Sequence, residues 1–143
     1  MAELVSTASA AWQGGLADGS GTVSLASGAA GPLPVTWSSR TEAANGKTSP
    51  EELIAAAHAA CYSMALSNGL AQAGHAPEEL QTSATVTFQP GQGITKIALA
   101  VTGRVPGIDA DAFQSAAADA EAGCPVSKAL AGVPEIRLSA TLA

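Results

Sequence analysis

Two cysteines are the only thiols of this 143-residue chain. Cys61 lies inside "SPEELIAAAHAACYSMALSNGLAQAG", a stretch that reads as one long helix, and Cys124 stands in "AEAGCPVSKAL", directly before Pro125. A thiol does nucleophilic or redox chemistry as the thiolate, so its surroundings decide its use. Burial among helical alanines would raise the pKa of Cys61 and leave it inert unless a cation lay close by. The chain has six basic residues. Arg40, in the segment just ahead of the helix, can be delivered by that loop, and its guanidinium would favour the thiolate and offer donors to a bound oxygen. Cys124 occupies a position like a helix N-cap, where the dipole and free N–H groups lower a thiol pKa. From electrostatics alone Cys124 is the better thiolate. "CPVS" also has the C-x-x-S spacing of monothiol thioredoxin-like proteins, although it falls on a late helix rather than after a first strand. His58 and Cys61 sit three apart on a helix, but a closed metal site needs more ligands than these cysteines, His58 and His75 supply. No metal and no cofactor are expected.

The elements that must carry these residues follow from pattern. "LVSTASAAW", Thr22 to Leu25 and "GPLPVTWSS" read as strands separated by glycine-rich turns, with Pro32 and Pro34 marking an edge or a strand entry. "RTEAANGKTS" is a loop, and Asn45-Gly46 a turn signal. Ser49, Pro50 and Glu52 form an N-cap, first helical residue and capping-box partner for the long helix, which Gly74 should stop. "LQTSATVTF" and "ITKIALAVTGRV" alternate as two strands joined by "QPGQG". Asp109 can cap a second helix ending at Gly123, "CPVSKALA" is a short third helix, and "PEIRLSATL" a closing strand. The expected fold class is α+β, one domain over residues 1–143, with antiparallel sheets wrapped around a long central helix.

Composition removes several function classes. Six basic against twelve acidic residues give a net charge of −6, a poor match for nucleic acid or anionic lipid. No run of eighteen apolar residues suggests a membrane span, and the amino terminus lacks the features of a signal peptide. A cytoplasmic protein is expected. In a reducing compartment two cysteines are seldom a permanent staple; a disulfide there is transient and catalytic or redox-sensing.

"TSPEELIAAAHAACYSMALS", "ITKIAL", "VPGIDADAF" and "AGCPVSKAL" together resemble the OsmC branch of the OsmC/Ohr family of thiol peroxidases, from about Trp12 to the carboxyl terminus. The resemblance implies a peroxidase that reduces organic hydroperoxides, and hydrogen peroxide less efficiently, without metal or prosthetic group. By position it implies Cys61 as peroxidatic cysteine, Cys124 as its resolving partner in an intrasubunit disulfide, Arg40 as the activating arginine and Glu51 as the carboxylate that holds the arginine. It thereby reverses the electrostatic ranking of the two thiols. A dithiol reductant, a lipoylated protein by family likeness, would reopen the disulfide, and Met64, Phe88 and Phe113 are candidates to bind the organic tail. Glu51 and Cys61 are ten residues apart, ~15 Å along a straight helix, too far for one arginine to touch both. Either the helix breaks, or the carboxylate comes from a second copy. A two-fold homodimer with antiparallel long helices, its axis near Ala56, would make two composite sites, in keeping with the intertwined dimers of the family. His58, close to that axis, then reads as a buried packing or hydrogen-bonding residue. The competing reading is a non-enzymatic thiol redox sensor or ligand-binding module.

Overall fold

The computed structural model describes residues 2–143. Contacts gather into two compact units, one ending at Pro50 and the other comprising Glu51–Ala143.

In the first unit, β1 (Ala8–Gln13), β2 (Ser20–Leu25) and β3 (Leu33–Val35) form an antiparallel sheet in that order. Pro34 sits in the edge strand β3, where its missing N–H breaks no ladder. The strand expected to run on through Trp37 stops at Val35. Thr36 instead opens a short helix, α1 (Trp37–Thr41), by a reciprocal cap: the Ser39 N–H donates to Thr36 Oγ1 and the Thr36 N–H to Ser39 Oγ, each at 3.0 Å. The box uses serine at its third position where glutamate is the familiar signal, which hides it in the sequence. Ser39 Oγ also donates to the Thr48 carbonyl at 3.0 Å, tying the helix to the returning chain. Between them Asn45 and Gly46, both at positive φ, make the expected tight turn. Every residue of β1 is exposed, as are Leu4, Val5 and Leu16.

The second unit is built on α2 (Pro50–Gln72), unbroken over its whole length. Proline stands first, as its fixed φ allows, and the alanine-rich interior favours the helix by propensity. Gly74, at φ 88°, ends it: the His75 N–H reaches the Leu70 carbonyl and the Gly74 N–H that of Ala71, the paired closure for which a left-handed residue is needed. His58, Tyr62, Leu66 and Leu70 recur every fourth residue as its buried ridge. Cys61 and Ala65 flank that ridge and pack against the core half-buried.

Against α2 lies a second sheet, β4 (Glu79–Gln89), β5 (Gly93–Arg104) and β6 (Glu135–Leu142), with α3 (Ala110–Gly123) and α4 (Pro125–Ala129) between the last two strands. The β4–β5 hairpin is antiparallel, as its alternation requires. The closing strand departs from the all-antiparallel expectation: β6 pairs parallel with β5, Lys96 opposite Glu135 through Gly103 opposite Leu142. The reason lies in the connection, since α3 and α4 carry the chain back to the starting end of β5, as a parallel crossover must. Asp109 caps α3 as expected, its carboxylate accepting the Ala112 N–H at 2.8 Å. Leu99 and Val101 of β5, Phe113 and Ala120 of α3, and the α2 ridge share one core. Phe113 is wholly buried over Gly103, where an added Cβ would meet its ring at 2.7 Å, so it is a core residue and not a surface for an organic tail. Met64 is 72% exposed. Among the described residues no helix is long and apolar enough to cross a membrane.

Candidate active site

The turn from α3 into α4 brings the two cysteines together. Cys124 ends one helix and begins the next, with extended backbone (φ −65°, ψ 121°) and Pro125 as the first residue of α4. It is fully buried, while Cys61 on α2 is only half-buried and therefore the more accessible sulfur. The two thiols lie close enough for the charge of each to act on the other, Cys61 favouring a charged Cys124 and Cys124 opposing a charged Cys61. One turn before Cys61, His58 Nε2 lies 2.6 Å from Ser127 Oγ, one turn after Cys124. Each pair is spaced three apart on its own helix, so the two helices face each other in register: Cys61 against Cys124, His58 against Ser127.

Burial pushes the Cys124 thiol up, but it is outweighed by the Ser127 N–H, the Cys61 thiol, the Ser127 hydroxyl and the Val126 N–H, which together hold Cys124 below the ordinary thiol value. No cap hydrogen bond closes on the neutral thiol; these donors act once the sulfur is charged, because a thiolate accepts far better than a thiol. Burial raises the Cys61 thiol, the Val126 N–H opposes this, and the neighbouring Cys124 adds to the rise. The order is the one that helix-terminus electrostatics predicts from sequence. His58 is completely buried, and burial lowers its pKa against the smaller opposing pull of Glu121. Tyr62, next to Cys61, donates its hydroxyl to the Ala117 carbonyl at 2.9 Å and so clamps α2 to α3 behind the thiols.

Of the other sequence-derived candidates, Glu51 is buried in the first turn of α2. Because α2 is continuous, Glu51 stays ~15 Å along the axis from Cys61 within one chain. Arg40 belongs to the first unit, in the last turn of α1, its guanidinium carbon 5.8 Å from the centre of the Trp37 ring. A pair of thiols poised to share one proton, with one sulfur accessible, can pass through a sulfenic acid to a disulfide.

A family model described as OsmC-like protein matches residues 43–139. Peroxiredoxin OsmC of Escherichia coli (strain K12) is 48% identical over 122 residues, which cover 83% of this chain and 85% of that protein. The chain belongs to the OsmC family. Peroxiredoxin OsmC of Shigella flexneri gives the same identity and coverage. Among solved structures, an organic hydroperoxide resistance protein OsmC from Legionella pneumophila aligns over 99% of both chains with a TM-score of 0.74 at 24% identity, a likeness of fold. An organic hydroperoxide resistance protein from Elizabethkingia anophelis aligns over the full length of both chains, with a TM-score of 0.73 at 25% identity.

Cys61, Cys124 and Glu51 fall inside the stretch matched by the OsmC-like family model, and Arg40 just ahead of it. Ser127 and its partnership with His58 go beyond the residues that sequence reasoning singles out. The C-x-x-S spacing of "CPVS" is the available signal, since an N-cap residue and the third residue of the helix it opens lie side by side.

Proposed function

We propose that the chain is a cysteine-based thiol peroxidase, one OsmC-like domain over residues 1–143, that reduces organic hydroperoxides to alcohols and hydrogen peroxide less efficiently. The observation that carries this reading is the meeting of the only two cysteines, an accessible sulfur against a buried one favoured as thiolate. The name of the 48%-identical relative, Peroxiredoxin OsmC, supports the same chemistry.

The Cys61 thiolate attacks the distal oxygen of the peroxide. A sulfur–oxygen bond forms, the O–O bond breaks, and the alkoxide leaves as alcohol after taking a proton, so Cys61 becomes a sulfenic acid. Cys61 is held up by burial, so this step calls for a cation; Arg40 is that cation, stabilising both the thiolate and the charge that develops as the O–O bond parts. Cys124 thiolate then attacks the sulfenic sulfur, hydroxide departs as water on protonation, and an intrasubunit Cys61–Cys124 disulfide remains. A dithiol, a lipoylated protein by family likeness, reduces it by exchange. Glu51 holds Arg40 from a second copy of the chain: the unbroken α2 supports an origin in trans, and the uncovered β1 with exposed Leu4, Val5 and Leu16 calls for a partner surface. The protein is accordingly read as an intertwined homodimer acting in the cytoplasm.

Cumene hydroperoxide with a dithiol tests the activity. Turnover should vanish in Cys61→Ser, and one equivalent of peroxide should produce a Cys61–Cys124 bridge by mass spectrometry; a single oxidation without turnover would refute the enzyme. The composite site is tested by refolding Cys61→Ser together with Glu51→Ala. Random pairing makes half the dimers mixed, each with one intact site if Glu51 acts in trans, so about a quarter of wild-type activity should return. No recovery would place Glu51 in cis.

A further inference from the structure

Besides the thiols, the site contains a buried polar pair that the peroxidase steps do not use. His58 is 0% exposed and Ser127 is 5% exposed, and the imidazole meets the serine hydroxyl at 2.6 Å through Nε2, while its Nδ1 has no partner among the described residues. A buried ring nitrogen left alone is costlier as an N–H than as a bare lone pair, because orphaned donors are the rarer of the two in native interiors. The proton therefore belongs on Nε2, which donates to Ser127 Oγ. With its lone pair engaged by the imidazole, the Ser127 hydroxyl has its own proton free to point elsewhere. The sulfur at hand is Cys124, three residues earlier at the start of α4.

We propose that His58 and Ser127 are positioning residues for the resolving step: the imidazole fixes the Ser127 hydroxyl rotor so that its proton points at Cys124 Sγ, keeping that sulfur ready as thiolate to attack the sulfenic acid on Cys61. The proposal rests on the assignment of Cys61 as peroxidatic and Cys124 as resolving. The chemistry balances as a condensation. Cys124 thiolate forms the S–S bond, the S–O bond of the sulfenic acid breaks, the leaving hydroxide takes a proton from solvent, and water departs; the two electrons lost by the thiol pair have already gone to the peroxide, so no further oxidant is needed.

His58 acts here as an oriented donor and not as a charge. Burial opposes its protonation and Glu121 of α3 favours it; Cys61 and Tyr62 follow it on α2, and Cys124 opens the helix that carries Ser127. The pair addresses Cys124 and not the accessible sulfur, so its loss should slow the second step without slowing the first.

Rapid-quench mass spectrometry after one equivalent of cumene hydroperoxide separates the two steps as loss of free Cys61 and appearance of the disulfide. For Ser127→Ala the pH midpoint of disulfide formation should move up by about one unit, the loss of one hydrogen bond to a charged group. Tenfold less thiolate is partly offset by greater nucleophilicity at higher pKa. Disulfide formation below the midpoint should then slow by roughly three- to fourfold, and above it the variant should match or overtake the parent. Formation of the sulfenic acid should not slow, and should quicken where charge lost from Cys124 passes to Cys61. His58→Gln, whose amide can donate from a similar place, should restore most of the profile that His58→Leu loses. If His58→Leu fails to fold, Ser127→Ala and His58→Gln carry the test. An unmoved pH midpoint in Ser127→Ala, or equal slowing of both steps at every pH, would overturn the proposal. Absence of both sulfenic acid and disulfide in the unaltered protein would instead overturn the peroxidase reading on which it rests.

Discussion

Tyr62 is the single tyrosine of the chain, so an alkaline titration reports one buried residue adjacent to Cys61 without interference from others of its kind. Its ring is wholly buried in the α2 ridge and its hydroxyl donates to the Ala117 carbonyl of α3. Ionising it would strip the donated hydrogen and leave an anion facing a carbonyl oxygen in a site that water does not reach. Burial, then the nearby charges of Glu121 and Cys124, push its pKa from the ordinary 10 up to about 12. The linkage has a definite sign. Between those values the folded chain keeps a proton that the unfolded chain has released, so stability falls as pH rises through this window. Each unit is worth about 1.4 kcal/mol, so the full window removes on the order of 3 kcal/mol, a large part of a small domain's margin.

Tyrosinate absorbance near 295 nm should therefore rise at about pH 12, or abruptly at the pH where the fold collapses, and near pH 10 in strong denaturant. Urea midpoints measured across the same range should fall in parallel. Tyr62→Phe should lose the absorbance change and flatten most of that slope, while costing roughly 1 kcal/mol at neutral pH for the missing hydrogen bond. A folded protein whose tyrosine titrates at pH 10 would refute the placement of the hydroxyl, and with it the clamp that sets α2 against α3 behind the thiols.

Other consequences are simpler to state. Gly103→Ala should lower stability by about 1–3 kcal/mol in urea melts, because its methyl would meet the Phe113 ring at 2.7 Å, and Phe113→Leu should relieve part of that loss. Asp109→Ala should cost roughly 1 kcal/mol by the same measurement, the worth of the lost cap on the Ala112 N–H. Because burial holds His58 below the ordinary imidazole value of 6.5, the unfolded chain takes up a proton first on acidification. Stability present above pH 6.5 is then lost as pH falls toward the lowered folded value, and His58→Gln should flatten that part of the curve.

Much of this arrangement is legible in the residues. Strong local signals survive folding: Asp109 as a cap, Gly74 as a stop, Asn45-Gly46 as a turn, the β4–β5 alternation and Pro125 as a first helical residue all rest on chemistry within a few positions. The capping box at Thr36 is hidden because serine serves in place of the customary glutamate, so the pattern reads as a strand running through it. The direction of β6 is hidden for a different reason. Its apolar pattern fits either a parallel or an antiparallel neighbour, and only the α3–α4 crossover decides between them. The site divides along the same line. "CPVS" announces a helix start with a favoured thiolate, but the facing register of the 58/61 and 124/127 pairs depends on how α2 meets α4, which no local pattern encodes.

The two sulfurs differ in what they require, and the fold meets the requirements unequally. In the proposed mechanism one negative charge shared between the neighbouring thiols must lie on Cys61 for attack on peroxide and on Cys124 for attack on the sulfenic acid. The second requirement is built in: the N–H groups of Val126 and Ser127 and the Ser127 hydroxyl all favour charge on Cys124. The first is met only if an outside cation offsets the burial of Cys61, because within its own unit burial and the neighbouring Cys124 keep the charge off Cys61. A resolving thiol ready in advance shortens the life of the sulfenic acid and so limits its further, irreversible oxidation. A peroxidatic thiol that depends on a delivered guanidinium is silent until the site is assembled. On the proposed assignment Arg40 governs the first step and the α4 terminus the second, and Arg40→Ala should slow sulfenic acid formation while leaving intact the pH profile of disulfide closure.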